Sequence, residues 1–364
     1  MSFRIPFLDL HLAEESDAVK TAIARVVDRA WFVLGPEVEA FEREFAAASG
    51  AARAVGVGNG TDALALILRA LGIGAGDEVI TTPLSAAYTA MAIVMAGARP
   101  VFADIDPERL TLDPASAARA VTDRTAALMP VHLYGQSADM PALMALAAQK
   151  GLAVVEDCCQ AHLALCGGRA VGTFGAAGAF SFYPTKNLGA LGDGGAVVTE
   201  DAALADRIAR LRNGGQRDRY RHVDLGVNSR LDELQAAILR ARLPLLRART
   251  ERRRALAAQY RSLLAGAHVA VPPEIDPGHV YHLFPIRVQQ RALLQDRLRD
   301  CGIETLVHYP VAIPQQPAFE PFSPAGCPEA VRAAGEVLSL PLYPGMASHA
   351  ITTVAEAVRK ESSS

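Results

Sequence analysis

The sequence predicts an α/β fold: a mostly parallel central sheet covered by helices, plus a smaller C-terminal α+β domain. Two observations lead there. From about residue 50 to 200, short apolar runs rich in Val, Ile and Phe are each followed by an Ala- and Leu-rich helical stretch. Such alternation is the pattern of strand–helix–strand units whose strands are covered on both faces. After residue 245 the texture changes to one strand, one helix and Pro-rich segments. We therefore expect a large domain over residues 1–244 and a small one over 245–364.

In order, ARAVGVG (52–58), DEVITTP (77–83), RPVFADI (99–105), AALMPVH (126–132), GLAVVED (151–157) and AGAFSFY (177–183) read as strands, and AVVTE (196–200) as another. TDALALILRALG (61–72), AAYTAMAIVMAG (86–97) and MPALMALAAQKG (140–151) read as helices. The span 229–266 is a long helical pattern in which Pro244 removes a backbone donor and should break the helix. HVYHLFPIRV (279–288) reads as a strand, and a helix is expected near 290–301.

Bulk properties exclude several classes. With 364 residues, 51% of them hydrophobic, the chain can bury one large and one small core. A net charge of −3 gives no global basic field for nucleic acid. The five cysteines (158, 159, 166, 301, 327) are odd in number and lack C-x-x-C spacing, which argues against a disulfide framework or a zinc site and for a reducing cytoplasm. The start MSFRIPFLDL has no apolar core of signal-peptide length, and no run long enough to span a bilayer appears. A soluble, cytoplasmic protein without a bound metal is expected.

Three motifs carry chemistry. GNGTDALAL (58–66) follows a strand and opens a helix, whose unpaired N–H groups and positive dipole end suit a phosphate. A dinucleotide reading is disfavoured, because Asp77 and Glu78 precede the next strand's apolar run instead of ending it. VVEDCCQAH (154–162) puts Asp157 at the end of an apolar strand, at the ligand edge of the sheet, with Gln160 three residues on. SFYPTKNLGALGDGG (181–195) holds Lys186, one of only four lysines among 36 basic residues, in a turn between Pro184 and a glycine-rich run. An amine desolvated there has a lowered pKa and attacks aldehydes better. Phosphate cradle, strand-end carboxylate and buried lysine are together what a pyridoxal phosphate site needs. The lysine forms the Schiff base, the carboxylate keeps the pyridine nitrogen protonated, and the phosphate anchors the group.

These blocks, together with FLDL (7–10), VLGPEVEAFEREFA (33–46), NSRLDELQAAIL (228–239), ETLVHYP (304–310) and LSLPLYP (338–344), resemble the DegT/DnrJ/EryC1/StrS family of pyridoxal-phosphate aminotransferases over nearly the whole chain. The resemblance implies a fold-type I aminotransferase, a homodimer with shared active sites. It implies Lys186 as the Schiff-base lysine and Asp157 as the partner of the pyridine nitrogen. Gln160 would lie near the ring hydroxyl, Gly60, Thr61 and Ser181 on the phosphate, and Asn228 on the phosphate from the other subunit. Tyr183, Tyr220, His308 and Tyr309 would line the sugar pocket, and Tyr88 would stack on the ring. His132 and His162 fall in family-like strings, for which a structural hydrogen-bonding role is expected. Where relatives often carry an aromatic between Asn and Gly, RNGG (212–215) has Gly214, which is expected to open the pocket.

The resemblance further implies glutamate as amino donor and a nucleotide-linked keto-deoxysugar as acceptor, the tail 304–319 being similar to relatives that aminate a 3-keto position. A ketocyclitol acceptor shares every cofactor residue and stays open as an alternative. A dehydratase of the same fold would carry histidine in place of the lysine. A regulatory or DNA-binding protein rests on RARTERRR (247–254) alone, a run better read as a solvated or salt-bridged helix face.

Overall fold

The computed structural model describes residues 3–11, 13–322 and 326–362. Its centre is a seven-stranded sheet built from β1 (Arg53–Val57), β2 (Glu78–Thr81), β3 (Arg99–Phe102), β4 (Thr125–Met129), β5 (Ala153–Asp157), β8 (Ala177–Ser181) and β9 (Gly195–Thr199). The short pair β6 (Leu165–Cys166) and β7 (Arg169–Ala170) forms a separate hairpin between β5 and β8. The strand order is β1-β9-β8-β5-β4-β2-β3. Only β9 runs against its neighbours; the rest of the sheet is parallel.

Neighbouring residues of one strand go to opposite faces. Ile80, Leu128, Val154 and Val198 join one buried cluster, while Val79, Met129, Val155 and Val197 join another. The first cluster is closed by α2 (Pro36–Ala48), α5 (Pro114–Ala120), α6 (Met140–Lys150) and α8 (Glu233–Arg242), and holds the edge-to-face rings of Phe45, Phe180 and Phe182. The second is closed by α3 (Gly60–Ala70), α4 (Tyr88–Met95) and α7 (Ala202–Leu211). Burial on both faces explains why the strands read as continuous apolar runs.

α1 (Ser16–Arg29) packs on α8. The expected break at Pro244 is a 3₁₀ turn (Leu243–Leu245) between α8 and α9 (Leu246–Leu264). Beyond it, β12 (Phe284–Arg287) pairs antiparallel with β13 (Val337–Leu340). These strands share a buried cluster with α9, α10 (Arg291–Asp300) and α12 (Ser348–Ser362), while α11 (Pro328–Glu336) packs on the other side. Ile5 belongs to the same cluster and bridges to Ile303, so the N-terminal segment completes this layer. The strand expected over 279–288 covers only its last part; residues 279–283 run irregularly toward the lysine turn.

The basic run is largely used within the fold. Arg249 pairs with Glu14 and Glu15, Arg252 donates to the Met346 carbonyl, and Arg253 is buried against three carbonyls. Among the described residues, no helix is long and apolar enough to cross a membrane.

Candidate active site

A cavity of about 780 Å³ opens at the carboxyl ends of the parallel strands. Gly60 and Thr61 reach it from the start of α3, Asp157 from the end of β5 and Ser181 from the end of β8. Lys186 lines it from the turn that follows, whose backbone N–H donates to the Tyr183 carbonyl at 2.8 Å. Gln160, Tyr183, His308, Tyr309 and Tyr88 complete the set from the sequence that the structure brings together.

The helix end is built for an anion. Asn59 caps it, its Oδ1 accepting from the Asp62 N–H at 2.9 Å. The N–H groups of Gly60 and Thr61 have no intrahelical acceptor, and among the described residues no other acceptor meets them. Gly60 is needed for close approach: a Cβ there would lie 2.6 Å from Cys159 Sγ and 2.9 Å from Ser181 Cβ. A Cβ on Gly195 would lie 2.4 Å from the Asn59 carbonyl carbon, so the glycine-rich run lets β9 pass against the same helix end. We expect Gly60→Ala to push the first turn outward and weaken cofactor binding roughly 10- to 100-fold, as overpacking of one methyl does. Titrating apoenzyme with pyridoxal phosphate by absorbance checks this.

Asp157 is 5% exposed. Its Oδ2 accepts from Thr89 Oγ1 at 2.7 Å and its Oδ1 from the Cys159 N–H at 3.0 Å. The two bonds fix the carboxylate plane. Gln160 is fixed too, its Oε1 accepting from the Tyr134 N–H (2.7 Å) and its Nε2 donating to the Tyr309 hydroxyl oxygen (3.0 Å). Burial lowers the Lys186 pKa, opposed in part by Cys159 and Asp157. Burial and then Lys186 take His308 down to about 4, so that imidazole is neutral near pH 7.

The other residues singled out in the sequence fall in different surroundings. His132 does act structurally: its Nδ1 accepts from the Ala138 N–H and its Nε2 meets Glu156 Oε2 at 3.1 Å. Glu156 also takes the N–H groups of Gly172, Phe174 and Gly175, so the buried His132–Glu156–Cys158 group is occupied by hydrogen bonds. The His162 ring packs against Phe180 and Phe182; burial and then Lys186 bring its pKa to about 3, with a backbone hydrogen bond at Ser181 acting the other way. Gly214 does not line the cavity; its φ of +71° shows that it serves a tight turn. Asn228 and Tyr220 are exposed and outside the cavity of their own chain. Beside Asn228, Ser229 Oγ accepts from the Gly58 N–H and donates to Asp62. Thr89, Cys159 and His282 line the cavity and escaped the sequence reading. Only Cys159 had a local signal, an Asp two residues before it in a strand-end turn.

The sequence matches the model of the DegT/DnrJ/EryC1/StrS aminotransferase family over residues 13–359. The chain belongs to this family. Members are pyridoxal-phosphate-dependent aminotransferases, and so is this protein. It is 48% identical over 98% of its length to the dTDP-3-amino-3,4,6-trideoxy-alpha-D-glucose transaminase of Streptomyces venezuelae, covering 96% of that protein. It is 45% identical over 98% of its length to the UDP-N-acetyl-3-dehydro-alpha-D-glucosamine 3-aminotransferase of Acidithiobacillus ferrooxidans, covering 97% of that protein. The crystal structure of S. venezuelae DesV in complex with a ketimine intermediate superposes with a TM-score of 0.95 at 48% identity, over 99% of this chain and 98% of that one. The aminotransferase's orphaned helix N–H groups, its cradle at Gly60 and its buried carboxylate fit a phosphorylated pyridine.

Proposed function

We propose that this aminotransferase moves an amino group from glutamate to carbon 3 of a nucleotide-linked keto-deoxysugar. The observation that carries the site reading is the convergence of Gly60, Asp157 and Lys186 on one cavity. The substrate reading rests on relatives named for 3-amination of dTDP- and UDP-linked sugars.

In this reading the α3 N-terminus, Thr61 and Ser181 hold the cofactor's phosphate and Lys186 takes its aldehyde. Asp157, with its plane fixed by Thr89 and Cys159, faces the ring nitrogen. Gln160 and Tyr309 border the ring hydroxyl and Tyr88 covers the ring. Bound there, the cofactor's ring spreads the electron pair left when a proton leaves the donor's α-carbon. Lys186, its pKa lowered by burial, would take that proton on Nζ as general base and give it up again as general acid. Tyr183 and His308 wall the sugar's side.

The cavity supports a second subunit's involvement. Lys186 is the one Lys or Arg side chain among the described residues lining it, against Asp62, Asp157 and Asp193. A substrate diphosphate needs further cations. β10 (Gln216–Asp218) and β11 (Arg221–His222) form a hairpin presenting Arg217, Arg219 and Arg221, with Tyr220 78% exposed. Leu225, 89% exposed, is tied to Arg69, near the far end of α3 from the cavity. Trp31, Phe32, Met95 and Leu191 are further exposed apolar side chains. We read these as a homodimer surface that brings Asn228 and Tyr220 to the other subunit's cavity.

The test is a panel of acceptors, dTDP- and UDP-linked 3-keto sugars beside keto-inositols, given to the pyridoxamine-phosphate form. Cofactor reoxidation by a nucleotide-linked 3-keto sugar alone is expected. Turnover of keto-inositols alone would replace this acceptor.

A further inference from the structure

His282 lines the cavity, and the roles assigned above leave it unused. It belongs to the irregular segment that meets the lysine turn, and Asn187, the residue after Lys186, ties the two together. Asn187 Nδ2 donates to the Val280 carbonyl at 3.1 Å, which turns its Oδ1 toward His282 Nδ1 at 3.3 Å. An amide oxygen only accepts, so Nδ1 carries the proton and Nε2 is a bare acceptor. Among the described residues Nε2 has no partner, and it is not sealed from the cavity. From behind, Arg253 Nη1 donates to the carbonyls of Tyr281, His282 and Leu342 and fixes the backbone that carries the ring. Burial, then the charges of Lys186 and Arg253, hold the imidazole's pKa well below its ordinary value, and the other nearby titratable groups are His162 and His308.

A side chamber of about 260 Å³ adjoins the main cavity through Thr185, His282, Leu283 and His308. Its further polar lining is Arg253 and Glu304, the latter's Oε2 accepting from the Phe7 N–H at 2.8 Å. At about 30 Å³ per molecule in the liquid, such a polar chamber holds several waters.

We propose that His282 is the general base for the water that releases the keto product, and that the side chamber supplies that water. The inference rests on the site reading above. As oxygen bonds to the substrate carbon, the carbon–nitrogen double bond opens to a single bond with its electron pair on nitrogen, one water O–H bond breaks, and its proton passes to Nε2. The imidazolium returns the proton to the substrate nitrogen. The remaining hydroxyl proton then takes the same route as the carbon–nitrogen bond breaks. One water is consumed, a ketone and an amine form, and no electrons are exchanged.

The test uses His282→Gln holoenzyme and glutamate deuterated at the α-carbon, in a single turnover. Two rates are read: wash-out of deuterium into water, and appearance of 2-oxoglutarate. The expected result is keto-acid release slowed by roughly 10²-fold or more, the scale of general-base catalysis, with wash-out unchanged. Equal slowing of both, or no slowing of release, overturns the proposal. Failure of wash-out in the unaltered enzyme would instead count against the reading of Lys186. If the Gln variant binds no cofactor by its visible absorbance, Asn187→Leu replaces it, since this keeps the imidazole but frees its tautomer. Release slowed about tenfold with wash-out intact then supports the proposal, and any other outcome overturns it.

Discussion

Lys186→Ala is expected to lose the visible absorbance of lysine-bound cofactor and to reduce kcat by at least roughly 10⁴-fold, because in the proposed reading one side chain carries both the covalent attachment and the proton transfer. Lys186 is the one lysine or arginine lining the cavity among the described residues, so no neighbouring amine can stand in for it. His162, His282 and His308 surround it with pKa values lowered by burial first and by Lys186 next. Alanine removes the cation nearest the buried Asp157 carboxylate, which keeps its hydrogen bonds from Thr89 Oγ1 and the Cys159 N–H. The variant should therefore stay folded, which circular dichroism checks. Retained turnover with an intact visible band would end the assignment.

Asp157→Asn is expected to lower kcat by about 10²- to 10³-fold, as does removal of a single preorganised electrostatic group. The amide oxygen can still accept from Thr89 Oγ1 or from the Cys159 N–H, so the local turn survives. It carries no charge, and the ring nitrogen loses the partner that keeps it protonated. The donor half-reaction, followed by stopped-flow absorbance, should slow while the phosphate end still binds. A change below about fivefold would mean that the carboxylate faces something other than the ring nitrogen.

Much of this was legible in the chain. The strand runs, the glycine-bounded helix start and the break at Pro244 are local signals, and local physics decides them. The antiparallel placement of β9 between β1 and β8 was not legible, because AVVTE says nothing about its neighbours. Thr89 and His282 were missed for a similar reason. Each meets the cavity through contacts between segments distant in sequence: Thr89 lies 68 residues from the carboxylate it bonds, and His282 lies 95 from Asn187. The string QAH gave no sign that Phe180 and Phe182 would pack on the His162 ring, because those contacts come from a segment further along the chain. Asn228 and Tyr220 are exposed and lie outside the cavity of their own chain.

Two parts of the cavity lining differ in what they are made of. The end proposed for the phosphate is shaped by main chain: the opening of α3 and the pass of Gly195 against Asn59. Added bulk has no room there, as the contacts a Cβ on Gly60 would make show. Another part of the lining is made of side chains, Tyr88, Met91, Met95 and Tyr183, on segments partly open to solvent. Descendants of such a catalyst can exchange Met91, Met95 and Tyr183 one by one and try new acceptors while Tyr88 stays over the vitamin's ring. Directed evolution of acceptor choice should begin at those three side chains.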